Sequence, residues 1–351
     1  MLQFLLRLLL TLLLLPAMAW GLLALHYQLP FNQPQNLFIQ VTWLGLGGYA
    51  LFLLWNGFWK TALILYLVLH GELLLWWEQI QPSHERDWAD DVAQMTTGQI
   101  EGNLVTLHNV RNFDWRSPTD YATHWETRQY DLSRLRSVDM ITSHWGMASI
   151  AHVLVSFGFD DGGFVTFTVE IRKEKGEEFS ELGGFFKQFE LSILATDERD
   201  AVAVRPNVRG EDSYLYRIAM PAQVRRALFL AYVERANQLA AKPRFYNTIT
   251  VNCTTLVYSM MQQISGGFPL DIRLLLTGYL PSYIKAQDGL MSGFDLQELR
   301  QLGHINSRSR SAAGQDDYSL QIRRGVPGWL HEPEPQPARP ESSSYPQGLP
   351  F

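Results

Sequence analysis

The stretch from Met1 to Trp77 carries only three charged side chains, Arg7, Lys60 and Glu72. So little charge among so many Leu, Phe and Trp residues rules out a water-facing surface and points to a bilayer. Three apolar segments can be drawn, about 2–25, 37–55 and 61–77. Each is close to the roughly 17–25 residues a helix needs to cross the hydrocarbon core. Trp43, Trp55, Trp59, Trp76 and Trp77 fall mostly near the segment ends, where interfacial rings belong. Arg7 lies at the N-terminus and Lys60 in the tight turn between the second and third segments, whereas the loop from Gln28 to Gln35 has no basic residue. The positive-inside rule then places the N-terminus and the Lys60 turn in the cytoplasm. Everything after the third segment emerges on the outer face. Arg7, the Leu-rich run and Ala17-Met18-Ala19 also fit a cleavable signal peptide. The apolar run continues past Ala19 to Leu25, which favours a retained helix, and either outcome leaves the large domain outside. His70 and Glu72 are costly in lipid and mark either a functional contact or side chains that snorkel to the interface.

The remainder has ordinary soluble composition. The net charge of −6, with no basic block interleaved with aromatics, gives no ground for a nucleic-acid partner. From about Asp87 the pattern is α+β, with an expected domain over 87–306. Strand-like stretches are 103–111, 123–132, 137–142, 150–159, 164–172, 190–195, 201–205 and 213–220. Residues 221–242 read as a long helix, with Pro221 at its first position and Val224, Leu228, Ala231 and Leu239 as an apolar stripe. From about 307 to 351 the chain is rich in Ser, Pro and charge, and a disordered tail is expected. There is no internal repeat.

The domain holds the chain's single cysteine, Cys253, so no internal disulfide is available. The thiol is either buried filler or chemistry. It sits in Tyr246-Asn-Thr-Ile-Thr-Val-Asn-Cys-Thr-Thr-Leu-Val257, where a β-branched stretch meets Asn252 and residues 254–263 read as a helix. Asn252 is a good N-cap, which places Cys253 in the first turn beside unpaired N–H groups and the positive end of the helix dipole. Such a position favours a thiolate, and the N–H groups around Asn252 and Thr254 are candidates to support an oxyanion.

A thiol nucleophile needs a base and a group that orients the base. Among nine histidines, His152 is best placed. Ala151, Val153, Val155, Phe157 and Phe159 form one face of its strand; Val165, Phe167, Val169 and Ile171 form the matching face of the next. Asp160-Asp161-Gly162 between them is a turn. If Phe159 pairs with Gly163, both apolar sets share a side, and a slip of one residue would turn one set outward. That register sets His152 opposite Glu170 on the less apolar face, where cross-strand Cβ atoms lie about 5 Å apart. A surface pair would look the same. His144 and His124 are the reserve bases. Asp160 and Asp161 suit a turn better than a ligand set, and one Cys without a close His pair argues against zinc. No cofactor motif is present.

The His strand precedes the Cys helix by about a hundred residues, the reverse of papain, and this order resembles circularly permuted papain-like domains of the NlpC type. More specifically, residues from about 87 to 308 resemble the Lnb N-terminal periplasmic domain family, formerly a domain of unknown function. The resemblance is carried by Val110-Arg-Asn-Phe-Asp-Trp-Arg116, Ile150-Ala-His-Val-Leu-Val-Ser-Phe157, Val169-Glu-Ile-Arg-Lys-Glu174 and Phe245-Tyr-Asn-Thr-Ile-Thr-Val-Asn-Cys-Thr-Thr255. It implies a thiol enzyme of the bacterial envelope, lipoprotein N-acyltransferase-like, with Cys253, His152 and Glu170 at the matching positions. The implied fold is an antiparallel sheet with a Cys-bearing helix. The membrane segments here precede the domain, whereas in the namesake they follow it, which puts a lipoprotein substrate in question. The expectation is a multi-pass inner-membrane acyltransferase or hydrolase acting on lipoprotein or phospholipid. A cell-wall amidase of the same fold and a non-catalytic envelope scaffold are the alternatives.

Overall fold

The structure, a computed structural model, describes residues 1–30 and 32–329. Three long helices come first: α1 (Leu2–Gln28), α2 (Gln33–Trp55) and α3 (Trp59–Gln79). All three are long and apolar enough to cross a membrane. Glycine lets them approach closely, since a Cβ on Gly21 would collide with Trp43 and one on Gly47 with Met18. Arg7 donates to the carbonyl of Trp55 at 2.8 Å. The start of α1 and the α2–α3 turn with Lys60 therefore share one end of the bundle. At the other end the helices meet the domain. Lys187 Nζ donates to the carbonyls of Trp77 and Ile80 at 2.7 and 3.3 Å, and Gln28 donates to that of Phe186.

The domain is built on a sheet of β1 (Thr97–Glu101), β2 (Leu104–Arg111), β5 (Trp125–Asp131), β6 (Leu135–His144), β7 (Ala151–Phe159), β8 (Phe164–Arg172), β9 (Glu190–Thr196) and β10 (Asp212–Arg217). The order is β1-β2-β9-β8-β7-β6-β10, with β5 also on β2, while β3 (Asp114–Trp115) and β4 (Tyr121–Ala122) form a separate ribbon. Pairing is antiparallel apart from a single β2–β9 contact. β7 and β8 pair from Gly158 with Phe164 to Leu154 with Thr168, and Phe159 N–H donates to Gly163. Pairing stops there, and the same register extended by two residues would set His152 opposite Glu170.

One face carries the main core. Val153, Val155 and Phe157 pack beneath α5 (Ala222–Ala241) and α6 (Thr255–Ile264), with Phe157 and Phe229 rings 5.1 Å apart and Phe167 stacked on Tyr232 at 4.8 Å. Pro221 sits at the N-cap of α5, one place before the expected position. The other face is covered too, and this corrects two expectations. Residues 201–205 are not a strand. Asp197 accepts the N–H of Arg199 and its carbonyl takes that of Ala201, starting the short helix α4 (Glu198–Ala201) and the helical turns that follow. Alternating Ala and Val hid that cap. Nor is the segment after 307 a disordered tail as far as Trp329. Beyond α7 (Leu280–Ala286) and α8 (Leu296–Gly303) come α9 (Asn306–Ser311) and α10 (Tyr318–Gln321), and Tyr318 of α10 with Ile322 and Val326 of the turns after it packs against Ile141 and Leu154. The rest of the expected tail lies outside the described residues.

Fully buried Arg323 ties this cover down. It donates to Asp139 Oδ2 at 2.8 Å and to both oxygens of Glu198 at 2.6 and 2.7 Å. Ser156 Oγ donates to the same Glu198. Burial works against the guanidinium charge, but Glu198 and Asp139 outweigh it and raise the Arg323 pKa. A charge so deep is tolerable only with every partner in place.

Candidate active site

The sheet parts at one point. Beyond the Leu154–Thr168 pair, β7 keeps pairing with β6 and β8 with β9, but β7 and β8 no longer pair with each other. His152 and Glu170 reach across this gap, Nε2 to Oε1 at 3.1 Å. Cys253 lines the same cleft as His152, and its side chain is among the groups that favour the charged His152 ring. The structure thus brings Cys253, His152 and Glu170 together. Cys253 belongs to the apolar cluster under α5 and α6, yet it also lines the polar cleft with His152 and Glu170, so the thiol lies where the two faces meet.

Thr168, a residue the sequence did not single out, fixes the ring. Its hydroxyl donates to Glu170 Oε1 at 2.9 Å, so it must accept from His152 Nε2, 2.6 Å away. A neutral imidazole held this way carries its proton on Nε2 and leaves Nδ1 as the basic nitrogen for the thiol. Burial disfavours the charged ring, but the Glu170 carboxylate and the interactions with the Cys253 and Glu170 side chains outweigh burial and the opposing charge of Arg205, raising the His152 pKa. Burial likewise disfavours ionised Glu170, yet His152, then Arg205 and Arg111, hold its pKa well below the ordinary carboxylate range. Arg205 bridges Glu170 at 3.3 Å and Glu211 at 3.1 Å, and Ser143 donates to Glu211 at 2.6 Å. Alternation along one strand could suggest the His–Glu pair; nothing local in the sequence connects it to Arg205 and Glu211.

The Cys253 turn differs from the expectation in one respect. Helix α6 begins at Thr255, so Cys253 lies in the turn before it and not in its first helical turn. Thr254, not Asn252, occupies the N-cap, and Asn252 supports the turn from two residues earlier: its Oδ1 accepts the N–H groups of Thr254 and Thr255, each at 2.9 Å, and its Nδ2 donates to Thr248 at 2.7 Å. Thr254 Oγ1 donates to the Leu274 carbonyl. Asn252 and Thr254 therefore hold the turn with groups already engaged. Among the described residues the N–H of Cys253 itself has no acceptor. Tyr246 shares the cleft, and burial with nearby Cys253 and Glu170 pushes its phenol pKa up, so it stays protonated.

The reserve bases lie elsewhere. His144 contacts Thr142 at 3.3 Å and stands edge-on to Tyr214, while His124 pairs with Glu126 on the surface. Asp161 accepts the Gly163 N–H, and Asp160 is held by Arg134 and Arg136, as turn residues. In α3, His70 stacks on Tyr66 and Glu72 is exposed on the helix surface. Among the described residues no cluster of His, Cys, Asp or Glu could hold a metal ion.

Two hollows lie near the thiol, and Cys253 itself lines the first. The polar cleft, about 260 Å³, is lined by Arg111, Lys173, Arg205 and Arg209 as well as the three site residues. The second, about 330 Å³ and almost wholly apolar, lies on the α5–α6 side. Thr254, next to Cys253, and Val153, next to His152, both line it. Its size falls within the roughly 300–1,000 Å³ of small-molecule pockets.

Residues 121–278 match the model of the Lnb N-terminal periplasmic domain, a span that contains His152, Glu170 and Cys253. The domain belongs to this family. With three membrane-length helices ahead of an Lnb N-terminal domain, the chain is a membrane protein with a periplasmic domain. No curated protein and no solved structure is significantly similar to it.

Proposed function

We propose that the Lnb N-terminal domain of this chain is a thiol-dependent acyl-transfer enzyme of permuted papain-like type, held at the periplasmic face of a bacterial inner membrane. One arrangement carries this: a Cys–His–Glu group lining a polar cleft, with the adjacent residues Thr254 and Val153 lining an apolar cavity. An ester of a long acyl chain is divided in the same way. Its chain fits the cavity and its polar part the cleft, which brings its carbonyl to Cys253.

His152 Nδ1 takes the Cys253 proton, and Sγ attacks the carbonyl carbon to give a tetrahedral oxyanion. The Cys253 N–H is the backbone donor left for that oxyanion, because Asn252 occupies those of Thr254 and Thr255. Collapse expels the alcohol, which takes the proton from the imidazolium, and leaves an acyl thioester. An amine or water then attacks the thioester while His152 accepts its proton, and the returning thiolate is reprotonated. Glu170, fixed by Thr168 and Arg205, stabilises the imidazolium in both halves. The membrane helices favour lipoprotein or phospholipid as the acyl source.

The test is lipoprotein acylation state, measured by mass spectrometry in cells carrying Cys253→Ala or His152→Ala. Loss of the transferred chain in both is expected; unchanged patterns with normal protein levels would sink the lipoprotein version. A cell-wall amidase is the second reading, favoured by the cationic residues of the cleft. It requires release of amino acids or short peptides from purified peptidoglycan, abolished by Cys253→Ala. A scaffold without catalysis predicts that iodoacetamide alkylates Cys253 no faster than an ordinary thiol at neutral pH.

A further inference from the structure

The apolar cavity has a wall with an outer face. Residues 265–275 contribute Phe268 and Leu274 to the cavity. The same segment turns Leu270 and Ile272 outward, 84% and 63% exposed, where they border a groove with Ile249. Tyr258 and Leu274 belong to both hollows, so one layer of side chains separates groove from cavity. The wall is pinned: Tyr258 and Gln262 donate to the Phe268 carbonyl, and the Tyr283 hydroxyl donates to that of Pro269 at 2.9 Å. Its two charges, Asp271 and Arg273, pair with each other at 2.7 Å and leave the rim neutral.

Exposed apolar side chains grouped around a groove mark a contact surface. The chain itself indicates which. Ile249 follows Thr248, whose hydroxyl donates to the Glu181 carbonyl at 2.9 Å. The loop carrying Glu181 rests on the membrane helices through Tyr27 with Ser180, Gln28 with Phe186 and Lys187 with Trp77. Leu182, in that loop, is 53% exposed. The apolar surface is thus continuous with the end of the bundle from which the domain emerges.

We propose that Leu182, Ile249, Leu270 and Ile272 rest in the periplasmic leaflet, and that the groove between Ile249 and Ile272 is the portal by which an acyl chain passes from the bilayer into the cavity behind Tyr258 and Leu274. The portal rests on the acyl-transfer function proposed above; the leaflet contact does not. Opening the way requires the Tyr258 and Leu274 side chains, which line both hollows, to move aside, with loss of the Tyr258 hydrogen bond to the Phe268 carbonyl.

The test uses the full chain as Cys253→Ala, in nanodiscs of phosphatidylethanolamine and phosphatidylglycerol. A single Leu270→Cys carries an environment-sensitive fluorophore, and a lipid carries a nitroxide on its acyl chain. The expected result is a blue-shifted emission and loss of fluorescence at position 270. A label at Arg136→Cys, by the Asp160 turn at the far end of β7, should show neither. Equal behaviour at both sites overturns the leaflet contact. In the same discs, a phospholipid with a diazirine in its acyl chain should crosslink to Phe268 or Met261, and Leu274→Trp should abolish that product while quenching at 270 persists. Quenching without a cavity crosslink overturns the portal. Both readouts are taken without the nucleophile, so a failure of the acyl-transfer chemistry would leave them unchanged.

Discussion

The two faces of the sheet solve the same problem by different physics. Under α5 and α6, apolar side chains from alternate positions of β7 and β8 are removed from water, and Phe157, Phe167 and Phe229 interlock. On the opposite face the same strands present His152, Ser156, Thr166 and Thr168, equally buried. There Arg323 and Arg205 serve as the packing material, each shared between two carboxylates. An apolar face tolerates approximate fit and loses stability in proportion to what is removed. A charged face loses most when one partner goes, because the rest are left buried and unpaired.

That difference makes Arg323→Met the most damaging single change expected. It strands Glu198, leaves Asp139 with Arg217 alone, and should cost about 3–5 kcal/mol in urea unfolding. Phe229→Ala on the other face should cost a similar amount through a cavity. The sharper contrast lies in rescue: adding Glu198→Met should recover part of the Arg323→Met loss, while Asp139 keeps its pairing with Arg217. No second substitution away from the cavity should rescue Phe229→Ala. Absence of rescue at Arg323 would mean the cover is held by its apolar contacts, and the comparison would fail.

Next in size is Glu170→Gln. It should slow acyl-enzyme formation on the order of 10²-fold while leaving the fold in place. Its signature lies in pH dependence. The Glu170 charge raises the His152 pKa, so its removal lowers that pKa and moves the acid limb of the rate profile to lower pH, even as the maximum falls. An acid limb that stays put would assign the limb to another group. Stability should respond in the opposite range. The lowered pKa of Glu170 stabilises the fold above the ordinary carboxylate range, and that contribution fades as pH falls through the lowered value.

The smallest expected effect is Asn252→Ala, about 1 kcal/mol from loss of the acceptor for the Thr254 and Thr255 N–H groups, measured by thermal unfolding. A much larger loss would show that the Cys253 turn is supported from within and not by its neighbours.

The two faces were not equally legible in the sequence. The apolar face is written in alternation, and one parity of register satisfies both β7 and β8, so the His152–Glu170 juxtaposition could be read before any coordinates. The Cys253 turn was marked by Asn252, a capping residue, to within two residues of the helix start. The charged face has no such periodic signal. Arg323 and Glu198 are 125 residues apart and pair only in three dimensions. The Ala–Val alternation just after Glu198 reads as a strand, and the Arg323 segment reads as a disordered tail because a charged, Ser-rich stretch normally cannot bury itself. This one does so by matching each charge. The arginine that steadies Glu170 was invisible for the same reason.

The clamp of Lys187 on the carbonyls of Trp77 and Ile80 fixes more than a joint. The clamping loop lies two hydrogen-bonded steps from the Cys253 turn, through Thr248 and Asn252. The thiol is therefore held at a set altitude above its own bilayer and cannot swing outward on a flexible stalk. For the proposed acyl transfer, this favours a carbonyl presented close to the bilayer over one far out toward the cell wall. Lengthening the 80–87 linker should not extend the reach while the clamp is closed.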